Sequence, residues 1–270
     1  GSTMPSIKNI KDFAKMKQSG QPIAMITCYD YAFARVVSET DIDVILVGDS
    51  LGMVVAGYET TIPVTLDQMI YHSTMVRRGA PQSFIVTDLP FMSYHVSIED
   101  TMRNCGRIMK ECGANAVKLE GGRDFVPVVE ALTKASIPVM GHLGLTPQSV
   151  HKLGGYSVQG KDEEQRKIIM EDALLLQKAG AFALVLEMVP EQLAKEITET
   201  LDIPTIGIGA GRYCNGQVLV INDMLGLNKG FNPKFLKRYA DLYTTAQQAI
   251  QNYTREVKEH IFPAEENVFK

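Results

Sequence analysis

Five short apolar runs in this chain each lead into an ionisable side chain. Val44-Ile45-Leu46-Val47 passes through Gly48 into Asp49 and Ser50, and Phe84-Ile85-Val86-Thr87 runs into Asp88. Ala116-Val117 leads into Lys118-Leu119-Glu120, Pro138-Val139-Met140-Gly141 into His142, and Leu184-Val185-Leu186 into Glu187. Short runs rich in β-branched residues suit strands buried on both faces, as in a parallel sheet covered by helices. All strand ends of such a sheet lie on one side. Polar groups far apart in sequence are therefore expected to meet in a single cleft.

The intervening segments read as helices. Ser6 to Ser19 has an apolar face of Ile7, Ile10, Phe13 and Ala14 and a stop at Gly20, and is expected to cover the bottom of a larger body. Ile23 to Cys28 is the first strand, followed by a helix over Tyr31 to Thr40. Thr65 caps a helix to about Arg78. Ser97, with Asp100 three residues on, gives a capping-box-like start to a helix reaching Cys112. Further helices are expected over Asp124 to Lys134, Glu163 to Ala179, Pro190 to Thr198 and Pro233 to Val257. The remaining strands are Thr205 to Ile208 and Gln217 to Ile221.

Eight strands, mostly alternating with helices, predict an α/β fold: a (β/α)8 TIM barrel with an additional N-terminal helix and C-terminal helices. The short connection between strands seven and eight interrupts the alternation. The reading is a single barrel domain over residues 1–270, with Gly1-Ser2-Thr3 ahead of Met4 taken as an expression-tag remnant.

Composition narrows the function classes. With 45% apolar and 21% charged residues among 270, the chain resembles an ordinary soluble protein. A net charge of -4 provides no footprint for nucleic acid. No apolar run approaches the roughly 20 residues that span a bilayer. Cys28, Cys105, Cys112 and Cys214 lack zinc-like spacing and no signal peptide is evident, so reduced thiols and a cytoplasmic location are expected.

The strand ends suggest chemistry, each with a plainer alternative. Asp49 and Asp88 are hard oxygen ligands suited to a divalent cation such as Mg2+, or else caps and turn formers. Lys118 and Glu120 are two apart and share a side of their strand, with Leu119 turned to the helices. They could form a simple salt bridge; alternatively, the lysine could hold a substrate carboxylate while Glu120 binds a metal-bound water. Glu187 beside Leu186 and Met188 is a candidate general base, its pKa raised by burial. His142 could orient substrate, support Glu187, or be a core histidine bonded to backbone. His72, His95, His151 and His260 are scattered, so zinc is not expected. The glycines at 207, 209 and 211 could bind an anion or only turn the chain over the barrel mouth. The polar, glycine-punctuated stretch 53–63 suits a pocket wall or lid. Together these features point to a metal-assisted reaction on a small oxyacid.

Leu46 to Gly52, Asp88-Leu89-Pro90-Phe91-Met92, Val117 to Gly122 and Gly141-His142-Leu143-Gly144-Leu145-Thr146-Pro147-Gln148-Ser149 closely resemble the ketopantoate hydroxymethyltransferase family, over about Ile23 to Gly226. The resemblance implies transfer of a hydroxymethyl group from 5,10-methylenetetrahydrofolate to 3-methyl-2-oxobutanoate through a Mg2+-stabilised enolate, giving ketopantoate and tetrahydrofolate. It further implies that Asp49 and Asp88 ligate Mg2+ where the keto acid chelates, that Glu120 completes the metal environment, and that Ser50 and Lys118 bind the keto acid carboxylate. His142 falls in the substrate pocket and Glu187 is the general base. Folate contacts are not assigned. The expected assembly is a homo-oligomer, a decamer of two pentameric rings. Asn215 stands where the family commonly has Asp, and Asn222 where it often has His. The competing readings are a metal-dependent barrel lyase or mutase acting on phosphoenolpyruvate-like or isocitrate-like acids, and a noncatalytic barrel kept for interactions.

Overall fold

The computed structural model describes residues 6–270; Gly1-Ser2-Thr3, read from sequence as a tag remnant, lies outside them. The chain divides into two compact units, residues 1–220 and 221–270. In the first, the order is α1 (Ile10–Ser19), β1 (Ile23–Thr27), α2 (Tyr31–Ser38), β2 (Val44–Val47), α3 (Leu51–Val54), α4 (Leu66–Gly79), β3 (Phe84–Asp88), α5 (Ile98–Arg107), β4 (Ala116–Lys118) and α6 (Val126–Lys134). It continues with β5 (Val139–Gly144), α7 (Val150–Leu153), α8 (Glu163–Ala179), β6 (Ala183–Glu187), α9 (Glu191–Thr200), β7 (Thr205–Ile208) and β8 (Gly216–Leu219). The second unit carries α10 (Ile221–Met224) and α11 (Leu242–Lys258).

The eight strands form a closed barrel in sequence order, and every neighbouring pair is parallel, β8 with β1 included. The expected (β/α)8 barrel with flanking helices is thus present. Alternation along each strand separates two apolar layers. Met25, Val44 and Phe84 sit at one level of register inside the barrel, with Leu46, Val86 and Ala116 at the next. Val117, Leu119, Val139, Leu143, Leu184 and Leu186 face outward, packed with Leu132, Leu176, Leu193 and Ile197 of the helices.

The N-terminal helix closes the barrel floor. Asn9 caps α1 with a reciprocal capping box to Asp12, and the helix presents Phe13 to the interior. The Phe13 ring lies 5.2 Å from that of Phe84 and 4.8 Å from that of Phe182, both edge-on. Complete burial of such a side chain contributes roughly 1.5–3 kcal/mol. Lys17 then anchors the helix C-terminus, its ammonium donating to Thr198 O, Leu201 O and Ile203 O at 2.6–2.9 Å.

Asn215 stitches the short β7–β8 connection: its side-chain oxygen accepts the Thr205 N–H at 3.0 Å, and its carbonyl accepts that of Ile23 at 2.9 Å. An amide thus joins the last two strands to the first.

Several boundaries differ from the sequence expectation. The fifth strand runs three residues beyond Gly141, because His142, Leu143 and Gly144 pair with Val185, Leu186 and Glu187. The helix from Ser97 changes character at Ile108 and ends in a π-helical turn, Ile108–Cys112. Ser97 caps that helix by accepting the Asp100 N–H at 3.0 Å, but Asp100, one methylene short of Glu, does not complete the box. In the second unit, residues 233–241 are not helical; Asp241 caps α11 through the Thr244 N–H.

Candidate active site

The C-terminal mouth of the barrel gathers the residues singled out from sequence. Asp49 and Ser50 follow β2, Asp88 ends β3, Lys118 ends β4 with Glu120 just beyond, His142 lies in β5, and Glu187 ends β6. Asp49, Asp88, Lys118, Glu120 and His142 are each 3–5% exposed, far below what unpaired charges tolerate. The Glu187 side chain keeps 17% of its surface open, so of this group it is the most accessible to a molecule entering the cleft.

Backbone geometry brings these groups close. The Asp49 N–H donates to Asp88 Oδ2 at 3.0 Å, which fixes the two acids against each other. A Cβ on Gly48 would stand 2.9 Å from Ser50 Oγ, so a larger residue there would push the Ser50 hydroxyl aside. Ser50 Oγ is 2.7 Å from the buried Tyr29 hydroxyl. Gly144 has φ 89°, and a Cβ on it would lie 2.3 Å from Glu187 O, so glycine lets β5 pass the end of β6.

A polar chain crosses the mouth from β3 to β6. Lys118 Nζ lies 3.1 Å from Asp88 Oδ1 and 2.9 Å from His142 Nδ1. An ammonium only donates, so Nδ1 is the acceptor and the imidazole proton sits on Nε2. That nitrogen donates to Leu145 O at 3.0 Å and lies 3.1 Å from Glu187 Oε1. Burial, then the Lys118 charge, holds the His142 pKa well below the ordinary histidine value, so the ring is neutral. Lys118 is pulled down by burial, but the charges of Asp88, Glu120 and Asp49 outweigh this and raise its pKa. With one proton given to His142 Nδ1 and none aligned on Asp88 Oδ1, the ammonium keeps donor capacity for another partner.

The acids carry the strain of proximity. Asp49 is raised well above the usual carboxylate range by burial, then by Asp88 and Glu120. Burial also raises Glu120 to about 8, against the pull of Lys118 and of the Gln148 N–H. Glu187 is raised to about 7, again chiefly by burial, with Lys118 opposing. A carboxyl poised near neutrality is suited to proton transfer.

The donor set fits a hexacoordinate cation that keeps waters. Asp88 Oδ1 is buried and receives no aligned hydrogen bond despite the nearby ammonium. Among the described residues no group of three His, Cys, Asp or Glu side chains forms a ready-made metal cage. Mg2+ is characteristically held by one or two carboxylates plus water and substrate oxygens, which matches an Asp49 and Asp88 pair.

Sequence reasoning overlooked two buried side chains in this mouth. Gln148 is 5% and Tyr94 2% exposed. The Gln148 amide donates to Asp49 Oδ2 at 2.7 Å, and the Tyr94 hydroxyl donates to Gln148 Oε1 at 2.6 Å. Gln148 stood within a quoted motif, but nothing in the motif's spacing distinguished it as inward-facing. The glycine stretch from Gly207 turns directly into β8 with no helix between them, so it lacks the strand-to-helix setting of a dinucleotide motif.

The closed parallel barrel and the acid, lysine and histidine cluster at its C-terminal mouth define a (β/α)8-barrel enzyme. Among solved structures, the fold is similar to phosphoenolpyruvate phosphomutase from Streptomyces platensis subsp. rosaceus, with TM-score 0.61, 13% identity, and 97% and 92% of the two chains covered. It is also similar to a phosphonopyruvate hydrolase crystallised with oxalate and Mg++, with TM-score 0.62, 9% identity, and 98% and 92% covered. At such identities the likeness concerns the fold alone.

Sequence relatives are far nearer. The chain is 55% identical over 262 residues to the 3-methyl-2-oxobutanoate hydroxymethyltransferase of Pseudothermotoga lettingae, covering 97% of this chain and 98% of that protein. It is 57% identical to the enzyme of the same name from Geobacillus sp., covering 97% and 94%. The family model for ketopantoate hydroxymethyltransferase matches residues 8–265. The chain belongs to the ketopantoate hydroxymethyltransferase family.

Proposed function

We propose a division of labour for the transfer of a hydroxymethyl group from 5,10-methylenetetrahydrofolate to 3-methyl-2-oxobutanoate, the reaction of this transferase. Glu187 is the general base that removes the C3 proton of the keto acid. The observation that carries this is its position: a carboxyl at the end of β6, raised to about 7 by burial yet partly open to the cleft, 3.1 Å from a neutral histidine. The carbanion left at C3 forms the new bond to the methylene carbon brought by the folate; the two bonds from that carbon to the folate nitrogens break, water supplies the hydroxyl oxygen, and the proton from C3 and one from water end on the nitrogens of the departing tetrahydrofolate.

Lys118 and Ser50 receive the keto acid carboxylate. The Lys118 ammonium has donor capacity beyond its bond to His142 for this carboxylate, and Ser50 Oγ is oriented by Tyr29. A Mg2+ ion held by Asp49 and Asp88, with Glu120 behind them, would polarise the 2-oxo carbonyl and stabilise charge that develops on its oxygen. His142 keeps Glu187 in place and, with its Nδ1 lone pair taken by Lys118 and its proton on Nε2, does not compete for the C3 proton. Holding both substrates in one orientation contributes alongside these groups, because the condensation is bimolecular.

The test is exchange of the C3 proton of 3-methyl-2-oxobutanoate in deuterated water, measured without folate. Glu187→Gln is expected to slow exchange roughly 10²–10⁴-fold while keto acid binding persists. Undiminished exchange in the variant would remove Glu187 from the role. Asp88→Ala is expected to weaken Mg2+ binding by calorimetry, and unchanged affinity would count against its part as a ligand.

The proposal extends to assembly and location. A homo-oligomer is expected, a decamer of two pentameric rings, which light scattering reads directly. A cytoplasmic location accords with four free cysteines, three of them buried. Among the described residues no helix is long and apolar enough to cross a membrane.

A further inference from the structure

One side chain from the loop after β5 ties together the ends of β2, β3 and β4. Gln148 lies in the short 3-10 turn Pro147–Ser149. Its Nε2 donates one hydrogen to Asp49 Oδ2 at 2.7 Å and the other to Leu89 O at 2.9 Å. Its backbone N–H donates to Glu120 Oε2 at 3.0 Å. Three strand ends therefore converge on one residue.

Tyr94 decides which way that amide points. Its hydroxyl donates to Gln148 Oε1 at 2.6 Å and accepts the Glu120 N–H at 3.2 Å. The hydroxyl has one proton, for which Gln148 Oε1 at 2.6 Å is a nearer acceptor than Glu120 O at 3.1 Å. Turned over, the amide would set its oxygen against the acceptors Asp49 Oδ2 and Leu89 O. The network excludes that orientation.

We infer that Gln148 is a positioning residue for the cation site, and that Tyr94 acts through it by holding the amide in register. The argument rests on the proposed role of Asp49 as a metal ligand. Clamped at Oδ2, the Asp49 carboxylate cannot rotate away from Asp88 to relieve the repulsion between the two buried acids. That bond occupies Oδ2 and would leave Oδ1 to a cation. Glu120 is restrained by the same residue through its Oε2. Supporting side chains of this kind typically change metal affinity 10–100-fold when removed.

The experiment measures Mn2+ binding to the metal-free full-length protein by paramagnetic resonance without either substrate, with thermal unfolding recorded in parallel. Gln148→Leu, close in volume but without an amide, is expected to weaken Mn2+ binding roughly tenfold. Tyr94→Phe removes a single oxygen and is expected to act in the same direction more weakly. The double variant should be no weaker than Gln148→Leu alone, because one residue acts through the other. If Gln148→Leu does not fold, Tyr94→Phe decides the question. Asp49→Asn separates the two levels of the argument. Loss of binding in Asp49→Asn with unchanged affinity in Gln148→Leu and Tyr94→Phe, whatever their melting temperatures, overturns the positioning role. Unchanged affinity in Asp49→Asn overturns the metal reading itself, and the positioning role with it.

Discussion

Lys118 Nζ stands 2.9 Å from His142 Nδ1, and this one contact sets the tautomer of the histidine beside Glu187. The same ammonium is 3.1 Å from Asp88 Oδ1. Charge at the acid end of the mouth is thereby linked to the base end through two side chains on adjacent strands. A change at Asp88 should be felt at Glu187 without movement of the backbone.

The pH dependence of C3 exchange should report Glu187 directly. A base works in its deprotonated form, and burial has raised this carboxyl to about 7. Exchange is expected to fall about tenfold per pH unit below that value, while Glu120, raised to about 8, titrates just above it. His142 contributes no second inflection near neutrality, because its pKa lies well below the usual value. A flat profile across the neutral range contradicts the assignment.

Lys118→Met should be costly in stability as well as in substrate binding. The lysine and Asp88 side chains are 4% and 6% exposed, so removing the ammonium strands a buried carboxylate. Breaking one partner of such a pair destabilises by roughly 3–5 kcal/mol. Urea unfolding should show this loss. Adding Asp88→Asn should recover part of it, and a double variant no more stable than the single one would mean that the pair is not the cause.

Gly144→Ala should damage the base without touching it. The added methyl would meet Glu187 O at 2.3 Å, on a backbone with φ 89° that alanine disfavours. Destabilisation of roughly 1–3 kcal/mol is expected, together with slower C3 exchange. Wild-type melting and wild-type exchange in this variant would show that the strand ends can separate freely.

Phe13→Ala should separate the barrel floor from its mouth. Deleting a fully buried aromatic ring costs roughly 3–5 kcal/mol, and Phe13 is 0% exposed between Phe84 and Phe182. Thermal unfolding should move sharply downward, while the KM for keto acid, measured where the variant remains folded, should stay near that of the parent. A large rise in KM would show that packing at the floor governs the site.

The strands and the convergence of their polar ends were legible because both follow a period. Val44 to Val47 and Ala183 to Leu186 are buried on both faces and read as apolar runs, and Lys118 and Glu120 declared a shared face through their spacing of two. Gln148 and Tyr94 follow no such period: each lies in a loop that folds back into the cavity, where tertiary geometry selects the inward side chain. The end of β5 was obscured for a related reason. His142-Leu143-Gly144 is a weak strand sequence by composition, and pairing with β6 extends it.

The aromatic floor imposes an order on synthesis. Phe13 is made before every strand of the barrel, yet its two ring partners belong to the third strand and to the residue before the sixth. Lys17 waits longer still, for carbonyls that follow the sixth strand. The opening helix must therefore remain without its final contacts until most of the barrel has been made, and its docking is a late, long-range event in folding.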